Sequence, residues 1–171
     1  MVRKGVHVMD FEGTVLTVDA LLERAKAAPA PRPRADVGIR HEAASNARSF
    51  MSMPNTGDKA RDGWRFAILQ TLDDYRSTLK RGGPTLAAQV FTTEPPRTGS
   101  DEIDAAFAAL AEFLAHRDGW SVPEWALDTS RCVENWYADV PAGFRDEAEN
   151  ESPPEFRSRG IYITCRPLAR A

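Results

Sequence analysis

The chain has 171 residues, of which 42% are hydrophobic and 27% charged, and it carries a net charge of −3 with a pI of about 5.7. These proportions are those of one soluble globular domain, and they exclude a wholly disordered, a collagen-like and a membrane-spanning chain. The acidic pI gives no overall basic character that would indicate nucleic-acid binding.

The first residues are predicted to form an N-terminal arm over positions 1–16, where Val6 and Val8 favour a short strand and Met9 is an alternative start. Neither this arm nor any later stretch has the apolar run of a signal peptide or a transmembrane helix, which predicts a cytoplasmic protein without a membrane partner.

A single helical domain is predicted over residues 17–171. Its first helix begins after Thr17, whose side chain is a good N-cap, and ends at about Ala28. The run A-P-A-P-R-P follows. Because proline disfavours helix in itself and in the residue before it, residues 29–38 are predicted to be a Pro/Arg-rich linker within the domain.

Three helices are predicted in the middle of the chain. A weakly amphipathic one runs from about Ile39 to Met51. A second has its apolar residues at spacings of four, four, three and four and ends near Gly82: Trp64, Ile68, Leu72, Tyr75 and Leu79. Residues 85–93 are predicted to form a short helix or strand. The strongest helix pattern begins at Asp101 and ends before Gly119.

The last third is predicted to consist of short elements. The segments 121–124 and 152–155 each match a capping box, which predicts two short helices that bury Trp125 and Leu127 in one case and Phe156 in the other. A helix over 141–150, a β-prone triplet at 161–163 and a final turn after Thr164 complete the pattern. The predicted fold is therefore mostly α: a small irregular multi-helix domain with five to seven helices, several of them short, with long connections and at most a minor β element.

No pattern indicates a catalytic, metal or cofactor site. The histidines and cysteines lack the local pairs of zinc sites, and neither a nucleophile elbow nor a phosphate-binding glycine loop is present. Cys132 and Cys165 are expected to be reduced, and Cys132 is expected to be a small buried thiol. We therefore expect no cofactor, and a protein without catalytic activity is favoured over an enzyme.

The small net charge is the sum of two oppositely charged parts of the chain. Residues 1–100 carry +4 and are rich in arginine, whereas residues 101–171 carry −7 and hold three of the four tryptophans. An acidic region attracts basic protein surfaces and repels phosphate. Two basic stretches, residues 31–34 with Arg40 and residues 80–84, are the only weak indications of DNA contact.

Residues 94–163, a little under half of the chain, also carry a family resemblance. It rests on the stretch from Glu94 to Gly99, the alanine-rich segment 104–116, and Ser152 to Ile163. Together these resemble a poorly characterised actinobacterial antitoxin-like family, found beside nucleotidyltransferase-like toxins or helix-turn-helix proteins. The chain departs from the family pattern at 164–167, and no DNA-binding domain precedes the matched region. The resemblance implies a protein partner, such as a nucleotidyltransferase-like toxin.

The leading hypothesis is a protein-interaction module that neutralises a partner enzyme through its acidic, aromatic-rich C-terminal half. Trp64 and Trp125 are assigned to the core, since large aromatic residues usually nucleate one. Five residues are predicted to contact the partner: Trp120, Trp136, Tyr137, Arg157 and Arg159. Two alternatives stay open. One is a small-ligand-binding protein or enzyme with a pocket walled by Trp120, Trp125 and Trp136, and the other is a DNA-binding regulator that uses residues 31–40 as an arm.

Overall fold

A computed structural model describes residues 16–27, 38–54 and 57–169. The chain divides into two units, Met1–Ala35 and Asp36–Ala171. The boundary lies within the Pro/Arg-rich segment 29–38. Most of that segment and residues 1–15 of the predicted arm lie outside the described residues.

In the first unit, helix α1 spans Val18–Ala27. Its start is as predicted, because Oγ1 of Thr17 accepts a hydrogen bond from the backbone N–H of Ala20 at 3.2 Å. No residue of α1 is buried, and Leu21 and Leu22 are 52% and 53% exposed.

The second unit begins with helices whose bounds differ in part from the prediction. Helix α2 spans Ala43–Met51, four residues shorter than predicted, because Glu42 is its N-cap. Helix α3 spans Lys59–Gly63 and was not predicted. It continues through a π-helical turn, Trp64–Ile68, into α4, Leu69–Ala88.

The predicted break at Gly82-Gly83-Pro84 lies inside α4. Gly83 has a φ of 74° and a ψ of −176°, and Pro84 starts a new helical stretch. The chain bends there and then remains helical through a 3₁₀ turn at Gln89–Phe91, so the predicted element at 85–93 is a helix over residues 85–91 and not a strand. The non-helical glycine divides α4 as the sequence indicated, but it does not end the helical region.

Helix α5, Asp101–Asp118, has the predicted bounds and forms the centre of the core. Its alanines from Ala105 to Ala111 are buried on every side, as are Phe107 and Leu110. Close approach to α3 depends on Gly63, where an added Cβ would lie 2.4 Å from Cγ1 of Ile103. Trp64 is buried as predicted.

The remaining elements are short. A 3₁₀ turn, Glu124–Leu127, precedes strand β1, Trp136–Tyr137, and a second 3₁₀ turn, Ala142–Phe144, leads into α6, Arg145–Glu151. Helix α7, strand β2 and helix α8 follow at Pro154–Arg157, Ile161–Tyr162 and Cys165–Leu168. The strands are parallel, with Trp136 opposite Ile161 and Tyr137 opposite Tyr162. The mostly α fold with a minor β element is therefore confirmed.

The two predicted capping boxes do not form. The N-caps are Pro123 and Pro153, and neither helix has a side-chain cap. The Ser152 hydroxyl instead shares its one proton between the carbonyls of Ala148 at 2.6 Å and Ile163 at 3.0 Å, and it accepts from the Ile163 N–H at 2.7 Å. Phe156 is buried as predicted, whereas Leu127 is 55% exposed, contrary to prediction.

Candidate functional site

The parallel strand pair places two tyrosines side by side at the surface. Because Tyr137 is opposite Tyr162 in the register, their rings stack with centroids 5.1 Å apart and an interplanar angle of 25°. The guanidinium carbon of Arg145, at the start of α6, lies 4.7 Å from the centre of the Tyr137 ring. The Tyr137 hydroxyl donates to Oε1 of Glu149 at 2.5 Å. We call these four residues, Tyr137, Arg145, Glu149 and Tyr162, the tyrosine face.

The tyrosine face is bordered by a strongly acidic helix. Helix α6 carries four carboxylates and one arginine: Asp146, Glu147, Glu149, Glu151 and Arg145. The hydrogen bond to Glu149 raises the pKa of the Tyr137 phenol above its ordinary value. A neutral phenol beside several carboxylates presents an aromatic, negatively charged surface, which suits a basic partner.

Two cavities flank the chain that follows β1. The larger is about 320 Å³ and is lined by Asp58, Arg61, Trp136, Tyr137, Asp139, Val140 and Pro141. The smaller is about 170 Å³ and is lined by Ala138, Asp139, Val140, Pro141, Phe144, Glu147, Thr164, Arg166 and Pro167. The segment from Asp139 to Pro141 belongs to both and therefore forms the wall between them.

Asp139, at the start of this wall, has an unusual backbone conformation. Its φ of 53° lies in the left-handed region, which aspartate tolerates better than most residues. Its carboxylate pairs with Nε of Arg61 at 3.2 Å and with Nε of Arg65 at 3.8 Å. The two arginines lie one turn apart in the helical region 59–88, so one carboxylate connects the wall to that region.

Two of the five predicted contact residues lie at this surface, and a third is exposed elsewhere on the chain. Tyr137 is part of the tyrosine face, and Trp136 is half-buried, lines the larger cavity and packs edge-on against Trp64 at 5.8 Å. Arg157 is exposed on α7.

The structure places Trp120 elsewhere. Its ring stacks on Phe91 at 5.8 Å, and its Nε1–H donates to the Tyr75 hydroxyl at 2.9 Å. It lines a separate cavity of about 280 Å³ with Phe91. Trp125 packs against the core, as expected, and donates from Nε1 to the carbonyl of Phe91 at 3.0 Å. Since Trp120 and Trp136 line different cavities, the three tryptophans do not wall one pocket.

Arg159 is used inside the fold. It is 8% exposed, and its Nη2 donates to Oε2 of Glu112 at 2.7 Å and to the carbonyl of Ala126 at 2.5 Å. Nη1 donates to the carbonyl of Arg131 at 3.3 Å. A guanidinium with these partners joins α5 to the C-terminal segment, so the proposed contact surface does not include it.

Several residues of this surface were not selected from the sequence. Tyr162 had a signal: it alternates with Ile161 and Ile163, which are both buried, so a strand at 161–163 turns the tyrosine outward. Phe144 is 45% exposed. Asp139 had no signal, because its pairing with Arg61 joins residues far apart in the chain.

The two cysteines lie at the surface. Both cysteines are free and exposed, so the expectation that Cys132 is buried was wrong. Within residues 16–27, 38–54 and 57–169, no cluster of three or more histidine, cysteine, aspartate or glutamate side chains is placed to hold a metal ion. In the same ranges, no helix combines the length and apolarity needed to cross a membrane.

Comparisons with family models, with curated proteins and with solved structures gave no match to this chain.

Proposed function

We propose that this chain is a protein-interaction module that neutralises a partner enzyme by covering a basic surface on it. The observation that carries the proposal is the tyrosine face, where two stacked, half-buried tyrosine rings contact residues of the carboxylate-rich helix α6. Tyrosine is enriched among residues that dominate binding energy, and acidic surfaces steer basic partners.

The preorganisation of this surface supports the proposal. Tyr137 is fixed by the ring of Tyr162, the guanidinium of Arg145 and the carboxylate of Glu149. Side chains that are already ordered lose little conformational freedom on binding, so more of the contact energy becomes affinity. Phe144, which precedes Arg145 in the chain, adds exposed apolar area.

The proposed class of partner, a nucleotidyltransferase-like toxin, rests on the resemblance to the antitoxin-like family. In such a pair, the acidic surface occupies a nucleotide- or RNA-facing site on a nucleotidyltransferase-like toxin. Binding would then block substrate both sterically and by presenting carboxylates where phosphates would lie.

The test is co-expression with each product of the adjacent genes, followed by affinity pull-down and a binding titration. We expect a stable complex whose affinity falls with salt. Phe144→Asp should weaken it, whereas Phe66→Asp changes an equally exposed phenylalanine on the π-helical turn and should not. Asp146→Lys should weaken it more than Asp73→Lys, the same charge reversal on α4. Failure of both neighbouring products to bind would overturn the proposal, as would equal effects within each pair of variants.

A further inference from the structure

Two basic segments that are far apart in the sequence meet in one groove. Arg40 precedes α2 and Arg81 lies in α4, yet both line a groove of about 180 Å³ within the second unit. The other lining residues are polar or charged: His41, Gln70, Asp74, Ser77 and Thr78. The two sequence stretches that separately gave weak indications of DNA contact therefore contribute to a single site.

Arg81 is held in place by its own helix. Its Nε donates to the carbonyl of Ser77 at 3.1 Å, and its Nη2 donates to Oγ1 of Thr78 at 3.1 Å. A guanidinium has five N–H donors, so these bonds orient the group and leave donors for an anion. Thr78 is itself buried, and its hydroxyl donates to the carbonyl of Asp74 at 2.8 Å, which fixes the position of that oxygen.

The one carboxylate of the groove is engaged by a neighbouring helix. Oδ2 of Asp74 accepts from Nδ2 of Asn46 at 2.9 Å, and the same amide donates to Oγ1 of Thr71 at 3.0 Å. Asp74 therefore connects α4 to α2, which keeps Arg40 near Arg81. Among the described residues that line the groove, two guanidinium groups face one carboxylate, so this lining carries a net positive charge.

The size and chemistry of the groove point to phosphate. Pockets for whole drug-sized ligands measure about 300 Å³ or more, so this groove suits one small anionic group. Two guanidinium groups beside the hydroxyl of Ser77 are donors that phosphate oxygens prefer, whereas the proton of Thr78 is already used in its bond to Asp74.

We infer that this groove binds a backbone phosphate of nucleic acid, with Arg40 and Arg81 as its two cationic contacts. The contact is independent of base sequence, because a phosphate carries no base identity. The function is distinct from the proposed partner binding, which uses the tyrosine face on other elements.

The test is fluorescence anisotropy with a labelled 20-base-pair DNA duplex and an RNA duplex of the same sequence, using the full chain. We expect a dissociation constant of about 10⁻⁶ to 10⁻⁴ M, which weakens as salt rises. Arg40→Gln and Arg81→Gln should each weaken binding about two- to fivefold, and the double variant about tenfold. The double variant should reduce the slope of log K against log salt by about 1, the contribution of one phosphate contact.

Arg48→Gln is the matched control, because Arg48 is an exposed arginine of α2 that does not line the groove. Thermal denaturation of every variant checks that folding is retained. Absence of binding to both duplexes at 50 mM salt would overturn the inference, as would equal losses in the control and the groove variants. If inorganic phosphate binds and both duplexes do not, the groove is a small-anion site and the assignment to nucleic acid is wrong.

Discussion

The hydroxyl of Tyr75, on α4, lies 2.6 Å from Oδ2 of Asp118, the last residue of α5. The same hydroxyl accepts a hydrogen bond from Nε1 of Trp120. One oxygen thus connects α4, the end of α5 and the segment that follows. The Tyr75 ring itself is fully buried.

Replacing this tyrosine tests the connection. Tyr75→Phe removes the donor to Asp118 and leaves the Trp120 N–H without its acceptor. Since a buried polar group without a partner costs its desolvation energy, we expect a loss of about 1 to 3 kcal/mol in the free energy of unfolding. Urea denaturation measures it. Tyr162→Phe, at the half-exposed tyrosine, should change stability by less than about 0.5 kcal/mol. Equal effects of the two variants would contradict the assignment.

The same site predicts how stability depends on pH. Hydrogen bonds from Arg117 and then from Tyr75 hold the pKa of Asp118 below its ordinary value, against the opposing effect of burial. An acid with a lowered folded-state pKa contributes stability above its unfolded pKa and loses it as pH falls through the folded one. The stability difference between the wild type and Asp118→Asn should therefore be constant near neutral pH and shrink below about pH 4. Urea titrations from pH 7 to pH 2.5 measure this, and a difference that grows on acidification would refute it.

Two arginines separated by one residue should behave oppositely. Arg159→Ala leaves Glu112 and two carbonyls without their buried donor, so we expect a loss of about 3 to 5 kcal/mol in the free energy of unfolding. Arg157→Ala removes an exposed side chain and should change stability by less than about 0.5 kcal/mol. Thermal and urea denaturation of both variants check the contrast. A mild Arg159 variant would show that its hydrogen bonds contribute little.

Alanine substitutions at two glycines separate the energetic cost of a left-handed backbone from that of a steric clash. Gly119 and Gly160 share a φ of 73°, but an added Cβ meets nothing within 4 Å at Gly119, whereas at Gly160 it would lie 1.9 Å from the carbonyl oxygen of Val133. Gly119→Ala should cost about 1 to 2 kcal/mol, the ordinary penalty of the left-handed conformation. Gly160→Ala should cost about 3 kcal/mol or more, because the backbone must also move. Denaturant unfolding measures both, and equal costs would show that the chain near Val133 yields freely.

The elements that the sequence predicted best are those determined by local signals. Helix α5 has acidic residues in its first turn and Gly119 as a left-handed C-cap, and both bounds were predicted. Helix α3 was missed because Gly63 is typical of a helix end, yet the structure needs glycine there to admit Ile103. The need for glycine at position 63 comes from Ile103 in α5, so the local sequence around Gly63 does not indicate it.

The candidate site was predictable only in part, for the same reason. Tyr137 and Trp136 were selected for their size and position beside turn-like sequence. Arg159 was predicted to contact the partner but is buried two residues after α7, and a helix of four residues is too short for periodicity to predict that burial. The pairing of Asp139 with Arg61 and the meeting of Arg40 with Arg81 depend on tertiary packing alone.

The parallel pairing of β1 with β2 determines how much of the chain must be synthesised before the tyrosine face can form. Parallel strands need a crossover between them, and here the crossover contains α6 and α7. Tyr137 leaves the ribosome 25 residues ahead of Tyr162, its partner in the register. A nascent chain therefore cannot present the tyrosine face until residue 162 has emerged from the exit tunnel, so a partner that recognises this face would not bind shorter nascent chains.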